Sequence, residues 1–415
     1  MAKPSVKTKQ TVYHFREPKR IMKKNALPAL TSLRFFAAMA IIAFHFSINH
    51  VALMPTYLYA IIKHGNMAVN FFFVLSGFVL AYTYLDKPVE PRRFWVARFA
   101  RIYPVYLLAL LLSIPAYLVT IDLTSGSGFV AAITNLFTEL TLLQAWLPIH
   151  GCGINCPGWS ISAEAFFYAI FPFVGVYLAR LRTRPLFLVT LGVWVVAIAI
   201  NTPLWLTYAA ISDGETKRMV GDFIGFSPLL NLSAFIVGIA TGITFLRQNY
   251  TKHEQSPSHW VTVLELGSLA VALVVIAFSG IPHALLRTGI ASPFFAAIIY
   301  ALALDKGAIA RLLAHPLLLI LGEASYAIYI LQVPISYWTR QLIAATPLQA
   351  FGSIAYPVLY VPIIIGFSLL SFYWLEKPIR GKIIGLLMNG SPKANVHAER
   401  QGLPKPVNGY INAGG

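Results

Sequence analysis

Charge is what this chain has least of. Asp, Glu, Lys and Arg make up only 11% of its 415 residues, where a soluble domain carries about 25%. That excludes a soluble globular protein. Acidic residues are the scarcer sign, 15 against 32 Lys and Arg. Cysteine is nearly absent, with two in the chain. Two soft ligands and one nearby His are too few for a metal centre, so no metal is expected. The first apolar run, about 26–48, is too long for a signal-peptide core and lacks a small-residue cleavage site. It reads as a first transmembrane helix that stays in place.

What fills the chain instead is apolar: 57% of residues are hydrophobic and the mean hydropathy is +0.68. The fold class is therefore all-α, a polytopic membrane protein. Ten spans of about 20 residues are expected, near 27–48, 67–85, 102–121, 160–179, 186–205, 227–246, 260–279, 284–304, 317–338 and 354–375. The net charge of +17 does not indicate a nucleic-acid partner, because the basic residues sit in short segments between apolar runs. Assigned alternately to the two sides, 26 Lys and Arg fall on one side and five on the other. The basic side is cytoplasmic, so both termini are expected in the cytoplasm. The domain plan is a basic tail over 1–26, a transmembrane domain over 27–380 and a largely disordered tail over 381–415.

The longest outer loop runs from Asp122 to Trp159 and holds no Lys or Arg. Its stretch from Phe129 to Trp146 is apolar enough for a re-entrant or interfacial helix. Cys152 and Cys156 close the loop in a Gly-rich segment on the oxidising side. They read first as a disulfide, with two free thiols as the alternative.

Four stations carry chemistry. Arg34 and His45 share one helix with ten hydrophobic residues between them. Eleven steps of about 1.5 Å and 100° place them roughly 16 Å apart on one face. A snorkelling Arg and a packed His are the bland alternative. Arg98 and Arg101, three apart, share a helical face at the cytoplasmic mouth of the third span and suit phosphate; ordinary positive-inside anchoring also fits. Glu164 is expected near the outer end of the fourth span, at the depth of His45, as the carboxylate that orients the imidazole. The alternative is an acid that favours a helix N-terminus. Ser76-Gly77 permits close approach by a neighbouring helix or a ligand. Glu265 reads as structural.

At these residues the chain resembles the membrane-bound acyltransferase 3 family, which includes bacterial surface-polysaccharide O-acetyltransferases. The resemblance runs from about Leu30 to Arg380. It rests on Arg34 with His45, Phe72–Phe78, Arg98–Pro104, Trp159–Tyr168, Gly322–Tyr329 and Tyr373–Pro378 in order. It departs at Gln332, where the family often has a His in a Leu-His-x-Pro pattern, and at Ala68, which replaces a frequent Gly. No hydrolase-like domain is expected after the last span.

The resemblance implies an O-acyltransferase of the bacterial inner membrane, most often an O-acetyltransferase. Its donor would be acetyl-CoA or another acyl-CoA, used as substrate with no permanently bound cofactor. Its acceptor would be a hydroxyl of a surface polysaccharide, another glycan or a lipid-linked sugar. Membrane lipids and polysaccharide-assembly proteins are the remaining expected partners. His45 would be the general base, since the reference pKa of a histidine, about 6.5, suits that task, and Glu164 would orient His45 or bind the acceptor. Arg34, Arg98 and Arg101 would bind the donor, and Ser76, Trp159, Ser160 and Tyr326 are candidates to line the site. Direct transfer and a transient acyl-histidine are both open routes. A transporter or flippase for a lipid-linked glycan is the rival reading.

Overall fold

The computed structural model describes residues 26–49, 55–147, 152–249, 258–278, 280–282 and 285–388. The basic N-terminal tail up to residue 25 and the tail from 389 on lie outside the described residues. Among the described residues there are helices and no strands. In chain order the helices are α1 (Pro28–Asn49), α2 (Thr56–Ile62), α3 (Ala68–Tyr84), α4 (Pro91–Leu118), α5 (Gly126–Leu140), α6 (Gly158–Arg180), α7 (Thr183–Ala210) and α8 (Gly214–Phe226). There follow α9 (Pro228–Asn249), α10 (His259–Phe278), α11 (Ser292–Ala303), α12 (Ala308–Leu313), α13 (Pro316–Glu323), α14 (Ser325–Ala344), α15 (Ala355–Ser371) and α16 (Lys377–Met388).

Among the described residues, eight helical segments are long and apolar enough to cross a membrane, and α13 with α14, bent by 56°, makes a ninth if the pair is one span. The expected eighth span is broken by a kink: α11 itself has 12 residues. A π-type turn at Leu286–Ile290 precedes it, and Gly289 adopts φ +148° there, which only glycine takes without strain. The expected third span is longer than its apolar run. Pro91 occupies the first turn of α4, where a missing N–H costs nothing, and the helix runs 28 residues with Arg98 and Arg101 inside it. At the other end α16 carries helix to Met388, past the boundary near 381.

The core centres on α3 and α9. An added Cβ at Gly77 would lie 2.2 Å from the Phe235 carbonyl oxygen, and one at Gly238 would lie 2.0 Å from that of Val74. The Ser-Gly pair thus serves helix packing through Gly77. Helices α7 and α10 present Phe187, Leu188, Val196, Val263 and Val274 outward, as a lipid-facing wall does.

Helix α5 is an inverted amphipath: Phe129, Val130, Ile133 and Phe137 are exposed while Asn135, Thr138 and Glu139 are buried. Three hydrogen bonds hold its polar face to α4: Tyr106 Oη to the Glu139 carbonyl at 2.8 Å, Tyr103 Oη to that of Leu140 at 3.0 Å, and Asn135 Nδ2 to Tyr117 Oη at 2.8 Å. This helix covers part of the stretch expected to be re-entrant or interfacial in the 122–159 loop.

Prolines inside the spanning helices free carbonyls, which must find donors where water is excluded. Pro172 cannot donate to Tyr168 O, and Trp95 Nε1 donates to it instead at 3.1 Å. Pro334 cannot donate to Ile330 O, and Asn155 Nδ2 does so at 3.1 Å.

Candidate functional site

Helix α1 carries two stations. At the first, Arg34 interacts electrostatically with Arg101 of α4, Glu164 and Tyr168 of α6, and Glu376. Arg101 interacts in turn with Tyr168, Glu376, Glu164 and Tyr84. Glu376 is buried on the π-type turn Phe372–Glu376 that leads into α16. Two guanidinium groups and two carboxylates from four parts of the chain therefore converge, which is how charge is tolerated inside an apolar bundle.

Glu164 is fixed by hydroxyls. Ser76 Oγ donates to its Oε1 at 3.1 Å, and Tyr168 Oη donates to the same oxygen. Arg98 is buried at the edge of this cluster. Its Nη2 donates to Tyr84 Oη at 2.9 Å, and its guanidinium lies over the rings of Tyr84 and Phe94 at 5.5 and 5.9 Å. Arg98 and Arg101 both act on Tyr168, but Arg98 is engaged by aromatic groups while Arg101 meets the carboxylates.

At the second station His45 is exposed, and its Nδ1 lies 2.9 Å from Gln332 Oε1 on α14. Gln332 is buried. Its Nε2 donates to the Tyr329 carbonyl at 2.8 Å, and its own carbonyl accepts from Tyr360 Oη at 3.0 Å.

The expected pairing of His45 with Glu164 is corrected by these partners. The outer loop folds inward: Asn155 is buried, and Ser160 Oγ meets Tyr329 Oη at 2.8 Å. Helix α6 therefore starts below the surface. Ser160 stands level with Tyr329, and Glu164 interacts with Tyr326, so α6 and α14 run antiparallel. Four residues inward on α6 and three outward on α14 separate Glu164 from Gln332 by about 10 Å along the axis. Glu164 belongs with the arginines.

The other expected site residues are distributed as follows. Tyr326 Oη donates to Ile102 O on α4 at 2.7 Å, beside the ionic cluster. Trp159 stacks on Phe226 at 4.9 Å and packs its edge against Phe73. Cys152 and Cys156 are joined as a disulfide. Glu265 is structural as expected: it is buried and accepts from Ile309 N at 2.9 Å and Ala310 N at 3.3 Å, at the start of α12.

Two residues escaped the sequence reading. Glu376 lies within a quoted motif but received no role. Glu139 is fully buried and accepts from the backbone N–H groups of Ile154 and Asn155 in the disulfide loop. Burial pushes its carboxyl up to about 7. A lone acid in the apolar run 129–146 was the available signal.

Fold and site together define a multi-pass membrane protein with an ionic cluster at one end of a helix and a hydrogen-bonded imidazole at the other. Comparison with known proteins gives that class its chemistry. Residues 27–375 match the acyltransferase 3 family, described as an acyltransferase domain. The chain belongs to this family, and it is an acyltransferase.

It is 28% identical over 367 residues to the acyltransferase MdmB of Streptomyces mycarofaciens, covering 84% of this chain and 90% of that protein. It is 24% identical over 379 residues to the putative peptidoglycan O-acetyltransferase YrhL of Bacillus subtilis (strain 168). That match covers 85% of this chain but only 55% of YrhL. A stretch of 50 residues is 56% identical to protein 2 in the picA locus of Rhizobium radiobacter, covering 11% of this chain and 26% of that protein. No solved structure matches.

Proposed function

We propose that this acyltransferase is an O-acyltransferase of the bacterial inner membrane. It moves an acyl group, acetyl in the first instance, from acyl-CoA to a hydroxyl of a surface or secreted glycan. The observation that carries the reading is the division of α1. Arg34 joins a charged cluster with Arg101 at one end, and His45 stands exposed on Gln332 at the other. Eleven residues span roughly 16 Å, a separation suited to an extended pantetheine arm.

In this scheme Arg34 and Arg101 receive the anionic donor on the side that the charge count assigns to the cytoplasm. Glu164 and Glu376 hold those guanidinium groups in place, and Arg98 shapes the wall with Tyr84. His45 takes the proton of the acceptor hydroxyl as its oxygen attacks the thioester carbonyl. The carbon–sulfur bond breaks, the ester forms, and the CoA thiolate leaves and takes up a proton. The name of YrhL, and the resemblance to polysaccharide O-acetyltransferases, support the O-acetyl and glycan parts of the reading.

The test is mass spectrometry of surface glycans from a deletion strain complemented with wild-type or His45→Ala protein. Loss of one acyl mass per site, restored by wild type but not by His45→Ala at equal membrane abundance, is the expected result. A glycan that loses its surface display but shows no change in acylation would point to a transporter and end this reading.

A further inference from the structure

We infer that Gln332 is a positioning residue that holds the neutral His45 imidazole with its proton on Nδ1, leaving the Nε2 lone pair to meet the acceptor hydroxyl. This rests on the reading of His45 as the general base and specifies which ring atom does the work.

The argument begins with the amide. A Gln side chain has one donating and one accepting end. The Nε2 end of Gln332 lies 2.8 Å from the Tyr329 carbonyl oxygen, which can only accept. Turning the amide over would set two oxygens against each other, so the donating end must face Tyr329. The accepting end then faces His45 Nδ1 at 2.9 Å. An acceptor opposite Nδ1 requires a proton on Nδ1. A neutral imidazole carries one N–H, so Nε2 is the basic nitrogen. Among the described residues no hydrogen-bond partner is recorded for Nε2, and His45 is exposed.

The amide is held by a wider frame. Tyr360 Oη donates to the Gln332 carbonyl, and Asn155 Nδ2 fills the Ile330 carbonyl freed by Pro334. Tyr329 Oη meets Ser160 Oγ and donates to the Pro157 carbonyl at 3.3 Å. The turn that bears Gln332 is thus tied to α15, to the start of α6 and to the disulfide loop.

An amide is also suited to this place because it does not titrate. A carboxylate opposite Nδ1 would favour imidazolium, the form that cannot accept a proton. The titratable side chains near this end of α1 are Tyr59 on α2, Lys63 and His64 before α3, Tyr329, Tyr337 and Arg340 on α14, and Tyr356 and Tyr360 on α15. Arg311, His315 and Glu323 belong to elements at the other end of α1, where Gly322 packs on Thr31. Tyr82 and Tyr84 end α3 on the Arg98 side, and Tyr300 lies late in α11. None of these exerts a resolved charge effect on His45; Gln332 is its side-chain partner.

The experiment compares full-length wild type, Gln332→Met, Gln332→Glu and His45→Ala in membranes. The probes are radiolabelled acetyl-CoA and deacylated surface glycan from the deletion strain, across pH 5 to 9. Gln332→Met removes the acceptor at similar volume and should lower kcat by roughly 10²-fold, within the range of general-base effects, with the acetyl-CoA KM changed less than about threefold. Gln332→Glu keeps the acceptor and should retain activity at its optimum. The acid limb of its kcat profile should move up by about one pH unit or more, because a carboxylate beside the ring favours imidazolium.

Wild-type kcat in Gln332→Met, or an unmoved acid limb in Gln332→Glu, overturns the inference if His45→Ala is inactive. If Gln332→Met does not accumulate, the profile of Gln332→Glu decides alone. Activity in His45→Ala would instead remove the base itself, a separate failure.

Discussion

Ser76 Oγ donates to Glu164 Oε1 across 3.1 Å and so joins α3 to α6 in the middle of the bundle. The same carboxylate accepts from Tyr168 and balances Arg34 and Arg101. Glu164→Gln keeps an acceptor for both hydroxyls but removes the balancing charge. Glu164, Arg34 and Arg101 are only partly buried, so losing this charge should cost about 1–3 kcal/mol. Stability to thermal unfolding in detergent should fall by that amount for Glu164→Gln, and by about 1 kcal/mol or less for Ser76→Ala.

The arginines should separate by phenotype. Arg101→Ala and Arg34→Ala are expected to raise the acetyl-CoA KM by about tenfold or more, since a charge-assisted hydrogen bond contributes about 1.5–3 kcal/mol. Arg98 is held by Tyr84 and by the faces of Tyr84 and Phe94. Arg98→Ala should therefore lower stability more than it raises KM. Steady-state kinetics beside melting curves will distinguish the two patterns.

Glu139 gives the outer loop a pH dependence. Its carboxyl is raised from about 4.5 to about 7 by burial, so between these values the folded protein binds more protons than the unfolded one. Stability contributed here is present below pH 4.5 and is lost as pH rises to about 7. The loss is on the order of 3 kcal/mol at most. Melting temperature in detergent should show a downward component over that window, and Glu139→Gln should flatten it.

Close approach of α3 and α9 leaves no room at Gly238, where an added Cβ would fall 2.0 Å from Val74 O. Gly238→Ala should destabilise by about 1–3 kcal/mol, with Gly77→Ala similar. Fluorescence-detected size-exclusion chromatography after a heating series would measure both.

Most spans are legible because an apolar run near 20 residues has few alternatives in a charge-poor chain. The eighth is harder to read, since Gly289 and Pro293 break a run whose hydropathy continues across them. Arg34, Arg101 and Glu164 are legible as costly charges, yet their grouping is not. The depth of Glu164 depends on a loop that tucks Asn155 beneath α14, which no local pattern of α6 records. Gln332 is visible as a departure from the family's His, but its use depends on the Tyr329 carbonyl and on α1 lying opposite. Trp95 and Asn155 show the same limit: Pro172 and Pro334 announce freed carbonyls without announcing their donors.

One flank of α1 has a further consequence. Leu33, Phe36, Ala37, Ala40 and Ala43 line an apolar cavity of about 340 Å³, with Leu269, Leu273 and Phe295 across it. The stripe bearing Arg34 and His45 lies about a third of a turn away. One edge of the helix is thus bound by charge and amide, while the other borders this cavity and packs on Gly65 at the Ala40 carbonyl. A larger apolar side chain at Ala43 would therefore enter this cavity without meeting the charge cluster on the opposite flank.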